Sequence, residues 1–116
     1  MPTWTMAFGD PGLDLPTGGG KAVNLGRMTR SGFPVPDGFV VTTTAYRHAV
    51  AATAGLADLI DAALAEGDPT GPATAESASR AIRAAFRAAP VPAEVAEAVR
   101  AAYLALDEGP VAVRSS

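Results

Sequence analysis

Large apolar and small or polar residues alternate at the start of the chain. In WTMAF, residues 4–8, Trp4, Met6 and Phe8 are separated by Thr5 and Ala7. Successive side chains of a strand point to opposite faces, so this spacing predicts a short strand with the three large residues on one face. The following GDPGLDLPTGGG is dense in glycine, proline and aspartate and predicts a loop. From Lys21 to Arg30 the period changes. Ala22, Leu25 and Met28 recur at helical spacing, Gly32 supplies a C-terminal cap and Pro34 forbids continuation. FPVPDG predicts a stiff connector and FVVT, residues 39–42, a β-branched strand; Thr43 or Thr44 can cap a helix carrying Ala45 to Ala52.

Three more amphipathic helices follow. One is marked by Leu56, Leu59, Ile60, Ala63 and Leu64, the next by Ala78, Ile82, Ala85 and Phe86, and the last by Val95, Val99, Ala102 and Leu106. EGDPTGP, Pro90 and DEGP are the breaks between and after them, and Pro92 suits the first turn of the last helix. In the closing VAVRSS, Val111 and Val113 alternate with Ala112 and Arg114, which predicts a strand presenting an arginine at its end. The pattern is that of an α+β chain, helix-rich with short strands. A chain that stops two residues after an arginine-bearing strand is expected to be the front part of something longer.

Composition sharpens this picture at a few points. The 116 residues suffice for one domain with one core, and 48% hydrophobic against 18% charged residues is a globular balance. Much of the apolar fraction is alanine, which favours helix but buries little area, so the core is expected to be thin. A net charge of −3 without a basic run argues against a nucleic-acid partner, yet leaves room for a nucleotide, whose phosphates need only a few N–H groups and one or two cations. There is no cysteine, which removes disulfides, thiol nucleophiles and zinc–thiolate sites. MPTWTMAF lacks the basic start and apolar core of a signal peptide, and no apolar run reaches membrane-spanning length. A soluble, cytoplasmic protein with no membrane partner is expected.

The stretch with most chemical promise is TGGGKAVNLG, residues 17–26. Gly18, Gly19 and Gly20 let a ligand approach the backbone without Cβ clashes. The first N–H groups of the following helix are unpaired, its dipole adds partial positive charge, and Lys21 adds a full charge. Established phosphate-loop patterns nevertheless fail here. A Walker A loop would place glycine at Leu15 and Ser or Thr at Ala22, and a dinucleotide fingerprint from Gly18 would need glycine at Val23. On its own grammar the turn stands between a phosphate site and a plain loop-to-helix corner.

GGKAVNLGRMTRSGFPVPDGFVVTTTAY, residues 19–46, resembles the N-terminal signature of the ATP-binding domain shared by phosphoenolpyruvate synthase, pyruvate phosphate dikinase and rifampicin phosphotransferase. FGDPGL fits the lead-in, and VAVRSS is similar to the family's second signature, a strand ending in arginine and two serines. The resemblance covers most of the chain, most weakly the Ala-rich residues 49–105. It implies a partial ATP-grasp-like nucleotide-binding domain, of which residues 1–116 are the incomplete N-terminal portion. The parent enzyme would move the ATP β-phosphoryl group through a phosphohistidine on a separate domain of the same chain to pyruvate or to a rifamycin hydroxyl. AMP and inorganic phosphate would be the by-products.

By the same resemblance Lys21 and Arg114 contact ATP phosphates, with Gly19, Gly20 and Asn24 in possible support. The magnesium ligands, the phosphohistidine and the acceptor site are expected outside this chain. No catalytic residue and no metal site are therefore expected within it. Without them, the chain alone would be inactive, a non-catalytic fragment or an interaction module.

The remaining candidates have plainer readings. His48, the one histidine, is expected to be a solvated helix residue rather than the phosphohistidine. Trp4, Phe8 and Phe39 are expected in the core rather than stacked on a cofactor. Ser115 and Ser116 could donate to phosphates or could be frayed ends.

Overall fold

The computed structural model describes residues 2–65, 72–107 and 109–115. Its elements are β1 (Thr5–Ala7), α1 (Leu15–Arg30), β2 (Phe39–Val41), α2 (Thr43–Ala52), α3 (Leu56–Ala65), α4 (Pro72–Ala88) and α5 (Ala93–Leu104). This is a helix-rich α+β arrangement with a two-stranded sheet, as the pattern predicts. The EGDPTGP break lies almost wholly outside the described residues.

The chain divides into two compact units. One comprises residues 1–47 and 93–116, the other residues 48–92. In the first, β1 and β2 pair antiparallel, with Thr5 opposite Val41, Met6 opposite Val40 and Ala7 opposite Phe39. One further backbone bond extends the ladder at each end, from Phe8 N–H to the Gly38 carbonyl at 3.2 Å and from Thr42 N–H to the Trp4 carbonyl at 3.0 Å. Val40, Leu13 and Ala22 form the buried cluster, and Met6 and Phe8 pack against it. The period-2 reading puts Met6 and Phe8 on the core side as expected, but the strand is shorter than residues 4–8, and Trp4 and Phe8 flank it. Helix α1 lies against β2 and α5 against β1, with Val95 buried. In the second unit α3 packs on α4, and Leu56 is its buried anchor.

The structure corrects four sequence expectations. First, residues 9–20 are not all loop, because α1 begins at Leu15. Asp14 caps it and Pro16 sits in its first turn, where a missing N–H costs nothing. Second, the apolar series Ala22, Leu25 and Met28 is not the buried face of α1. The buried residues are Gly18, Ala22 and Gly26, spaced four apart, while Met28 is 44% exposed. A Cβ on Gly26 would stand 2.8 Å from the Phe8 carbonyl oxygen, so this face carries small residues because the backbone just after β1 lies on it.

Third, the cap of α2 is Thr42, not Thr43 or Thr44. Its hydroxyl accepts from Ala45 N–H at 3.2 Å and donates to the Thr3 carbonyl at 2.7 Å, and the residue is 1% exposed. Fourth, residues 111–115 form no strand among the described residues. They are exposed, Val113 to 90%. A strand is held by a neighbour's backbone, and the sheet here contains only β1 and β2.

Candidate functional site

The glycine turn is built from its first residue by a cap. Asp14 is extended, at φ −131° and ψ 174°, and its carboxylate accepts from Thr17 N–H at 2.9 Å and from the Thr17 hydroxyl. These bonds hold its carboxyl below the usual aspartate range, the hydroxyl contributing most. Gly18 N–H then closes one turn on the Asp14 carbonyl at 2.9 Å.

The three glycines have three different reasons to be glycine. Gly18 is buried, and a Cβ there would meet Leu13 Cδ1 at 2.5 Å. Gly19 interrupts the helix at φ 82° and ψ 171°, a region that residues with a Cβ scarcely enter. Gly20 has an ordinary φ, is exposed, and would meet nothing within 4 Å if it carried a Cβ. The fold makes no steric demand for glycine at 20, and the backbone there is open to solvent.

Beyond the break the helix resumes and runs to Arg30. Lys21 and Asn24 are exposed, three residues apart and hence neighbours on its surface. The structure thus brings Gly19, Gly20, Lys21 and Asn24 together at one helix start. Arg114 lies on the exposed stretch after Gly109, whose carbonyl accepts from the Tyr103 hydroxyl at 2.9 Å. Among the described residues no hydrogen bond or ion pair joins Arg114 to the glycine turn. Ser115 is exposed, and Ser116 lies outside the described residues. His48 is half-buried on α2, as are Trp4 near β1 and Phe39 on β2.

Sequence reading missed the roles of Asp14 and Thr17 in this construction and read Thr43 only as a candidate cap of the next helix. The spacing of Asp14 and Thr17 ahead of the glycines was the available signal for a capped turn. The reach of Thr43 back to α1 had no such signal. Its hydroxyl donates to the Pro16 carbonyl at 2.8 Å, across 27 residues of chain.

Among the described residues no three histidine, aspartate or glutamate side chains form a metal-holding group. The carboxylate nearest in sequence to the glycine turn, Asp14, is engaged by Thr17. An open groove of about 370 Å³ in the second unit is lined by Thr53, Leu56, Leu59, Ala85 and Pro90 among others, with no charged side chain in its lining. No described helix is long and apolar enough to cross a membrane.

A glycine-broken helix start with an open backbone and an adjacent lysine presents N–H groups and a cation in a geometry that can receive an anion. Residues 16–116 match the family of the pyruvate phosphate dikinase AMP/ATP-binding domain, and the chain belongs to that family. It is 44% identical over 109 residues to the phosphoenolpyruvate synthase of Aeropyrum pernix, covering 88% of this chain and 13% of that protein. It is 40% identical over 109 residues to the probable phosphoenolpyruvate synthase of Methanocaldococcus jannaschii, covering 89% of this chain and 9% of that one. The Pyrococcus furiosus phosphoenolpyruvate synthase is 57% identical over 37 residues, 32% of this chain and 4% of that protein. The chain thus spans only a small part of the length of these relatives. No solved structure matches it.

Proposed function

We propose that residues 1–116 are the N-terminal portion of one ATP-grasp-type nucleotide-binding domain, in which the glycine turn and Lys21 receive ATP phosphates. The observation that carries this reading is the contrast within the triplet. The fold accounts for Gly18 by packing and for Gly19 by conformation, while Gly20 stays bare beside Lys21 with no steric reason. A backbone kept free of Cβ at a helix start suits close approach of a phosphate oxygen. Lys21 supplies a point charge, placed where a cation otherwise opposes the helix dipole, so an anion there relieves an unfavourable placement.

Arg114 is the second cation of the proposed clamp and offers a planar fork to phosphate oxygens. Asn24 lies beside Lys21 in a supporting position. In the parent reaction the ATP β-phosphoryl group passes to a histidine of another domain, with release of AMP and inorganic phosphate, and then to the acceptor. The relatives named phosphoenolpyruvate synthase favour pyruvate over a rifamycin hydroxyl. Magnesium belongs to this chemistry, with ligands outside these residues.

The test is AMP formation from ATP and pyruvate by the intact enzyme carrying this sequence. Lys21→Ala abolishes AMP formation, and Arg114→Ala lowers it by about 100-fold, as expected for lost charge stabilisation of a transferring phosphoryl group. Wild-type rates in Lys21→Ala would remove the turn from the site.

A further inference from the structure

We infer that Thr43 is a positioning residue for the glycine turn, holding open the helix break that exposes Gly20. This rests on the phosphate-binding reading of the turn and adds the device that keeps the turn in shape. In an unbroken helix the Pro16 carbonyl would receive the N–H of Gly20, four residues on. Gly19 has ψ 171° where a helix has about −42°, and this rotates the Gly20 N–H out of the ladder. The break leaves the Pro16 carbonyl without its helical donor, and the Thr43 hydroxyl takes that place at 2.8 Å.

The substitution has a mechanical consequence. Thr42, next to Thr43, is fixed to the sheet by its N–H on the Trp4 carbonyl at 3.0 Å and its hydroxyl on the Thr3 carbonyl at 2.7 Å. Through Thr43 the first turn of α1 is therefore referenced to β1 and to the start of α2. Without the Thr43 hydroxyl, water and the Gly20 N–H compete for the exposed Pro16 carbonyl, and recapture of that N–H would straighten the helix and withdraw it from a ligand. Thr43 touches no ligand in this account; it acts through Pro16.

The experiment compares Thr43→Val, Thr43→Ser and Lys21→Ala in the intact protein. Amide hydrogen exchange is read on peptides covering residues 17–22 and 39–46, and ATP affinity by calorimetry. Thr43→Val changes exchange in residues 17–22 by about 3- to 10-fold and weakens ATP binding by a similar factor, the scale of one neutral hydrogen bond. Exchange in residues 39–42 stays at the wild-type rate. Thr43→Ser, which keeps the hydroxyl, restores both values to within about 2-fold of wild type.

Wild-type exchange in residues 17–22 of Thr43→Val would overturn the inference. So would a change spread equally over residues 39–42, since that would make Thr43 a general stability residue. If Lys21→Ala binds ATP as wild type does, the phosphate reading fails instead, and the exchange rates still decide the role of Thr43.

Discussion

Gly19 and Gly20 are neighbours with the same side chain and opposite consequences. Gly19→Ala forces a Cβ into a positive-φ conformation and is expected to destabilise the protein by about 1–3 kcal/mol. Gly20→Ala meets no atom, and alanine is the better helix former, so stability is unchanged or raised by up to about 1 kcal/mol. Its effect falls on the ligand: ATP affinity should drop by about 10-fold because the new methyl occupies the approach to the backbone. Thermal denaturation and ATP titration of the two variants separate these cases. Equal melting temperatures would show that the break at Gly19 is not held, and unaltered affinity in Gly20→Ala would show that no ligand approaches there. Sequence reading picked out Gly19, Gly20, Lys21 and Asn24, because a glycine run before a lysine is visible in one dimension. It could not sort the glycines by role, since that depends on Leu13 beside Gly18 and on empty space beside Gly20.

The elements show where one-dimensional periodicity succeeds and where it stops. α1 was legible from Lys21 onward, but its first turn was hidden under proline and glycine, which usually mark loops. Asp14 makes that turn possible, and its ionisation is part of the stability of the turn. Its folded carboxyl lies below the ordinary aspartate value, so the cap contributes fully above that value. The contribution is lost as pH falls below about 4 and through the lowered value. Chemical denaturation across this range should show a pH-dependent segment in the wild type that flattens in Asp14→Asn; identical slopes would show that Asp14 is not held in the folded state.

The buried face of α1 was misread for a related reason. Gly18 and Gly26 have no hydrophobic signal, so Leu25 and Met28 drew the face a little way round the helix. The Gly26 position tests this packing. Gly26→Val should cost about 1–3 kcal/mol by driving α1 off the Phe8 backbone, measured as a lower denaturation midpoint. A midpoint at the wild-type value would mean that α1 does not rest on the Phe8 backbone through this glycine.

At the scale of the whole molecule, the sequence by itself determined the class and most of the elements. Helical spacing marks α3, α4 and α5, β-branched residues mark β2, and the stretch of residues 19–46 together with VAVRSS resembles the family that the comparison shows. Local propensity and periodicity suffice for the elements, because each is a property of a few neighbouring residues. The tertiary structure decided everything that depends on contacts distant in sequence. It assigned the cap of α2 to Thr42, whose hydroxyl accepts from Ala45 N–H while it is held by donating to the Thr3 carbonyl 39 residues away. It gave the Pro16 carbonyl its donor from Thr43, and it set small residues on the face of α1 that meets a strand. It also left Val111 and Val113 exposed rather than paired, since alternation makes a segment fit for a sheet but only a neighbouring backbone makes it a strand.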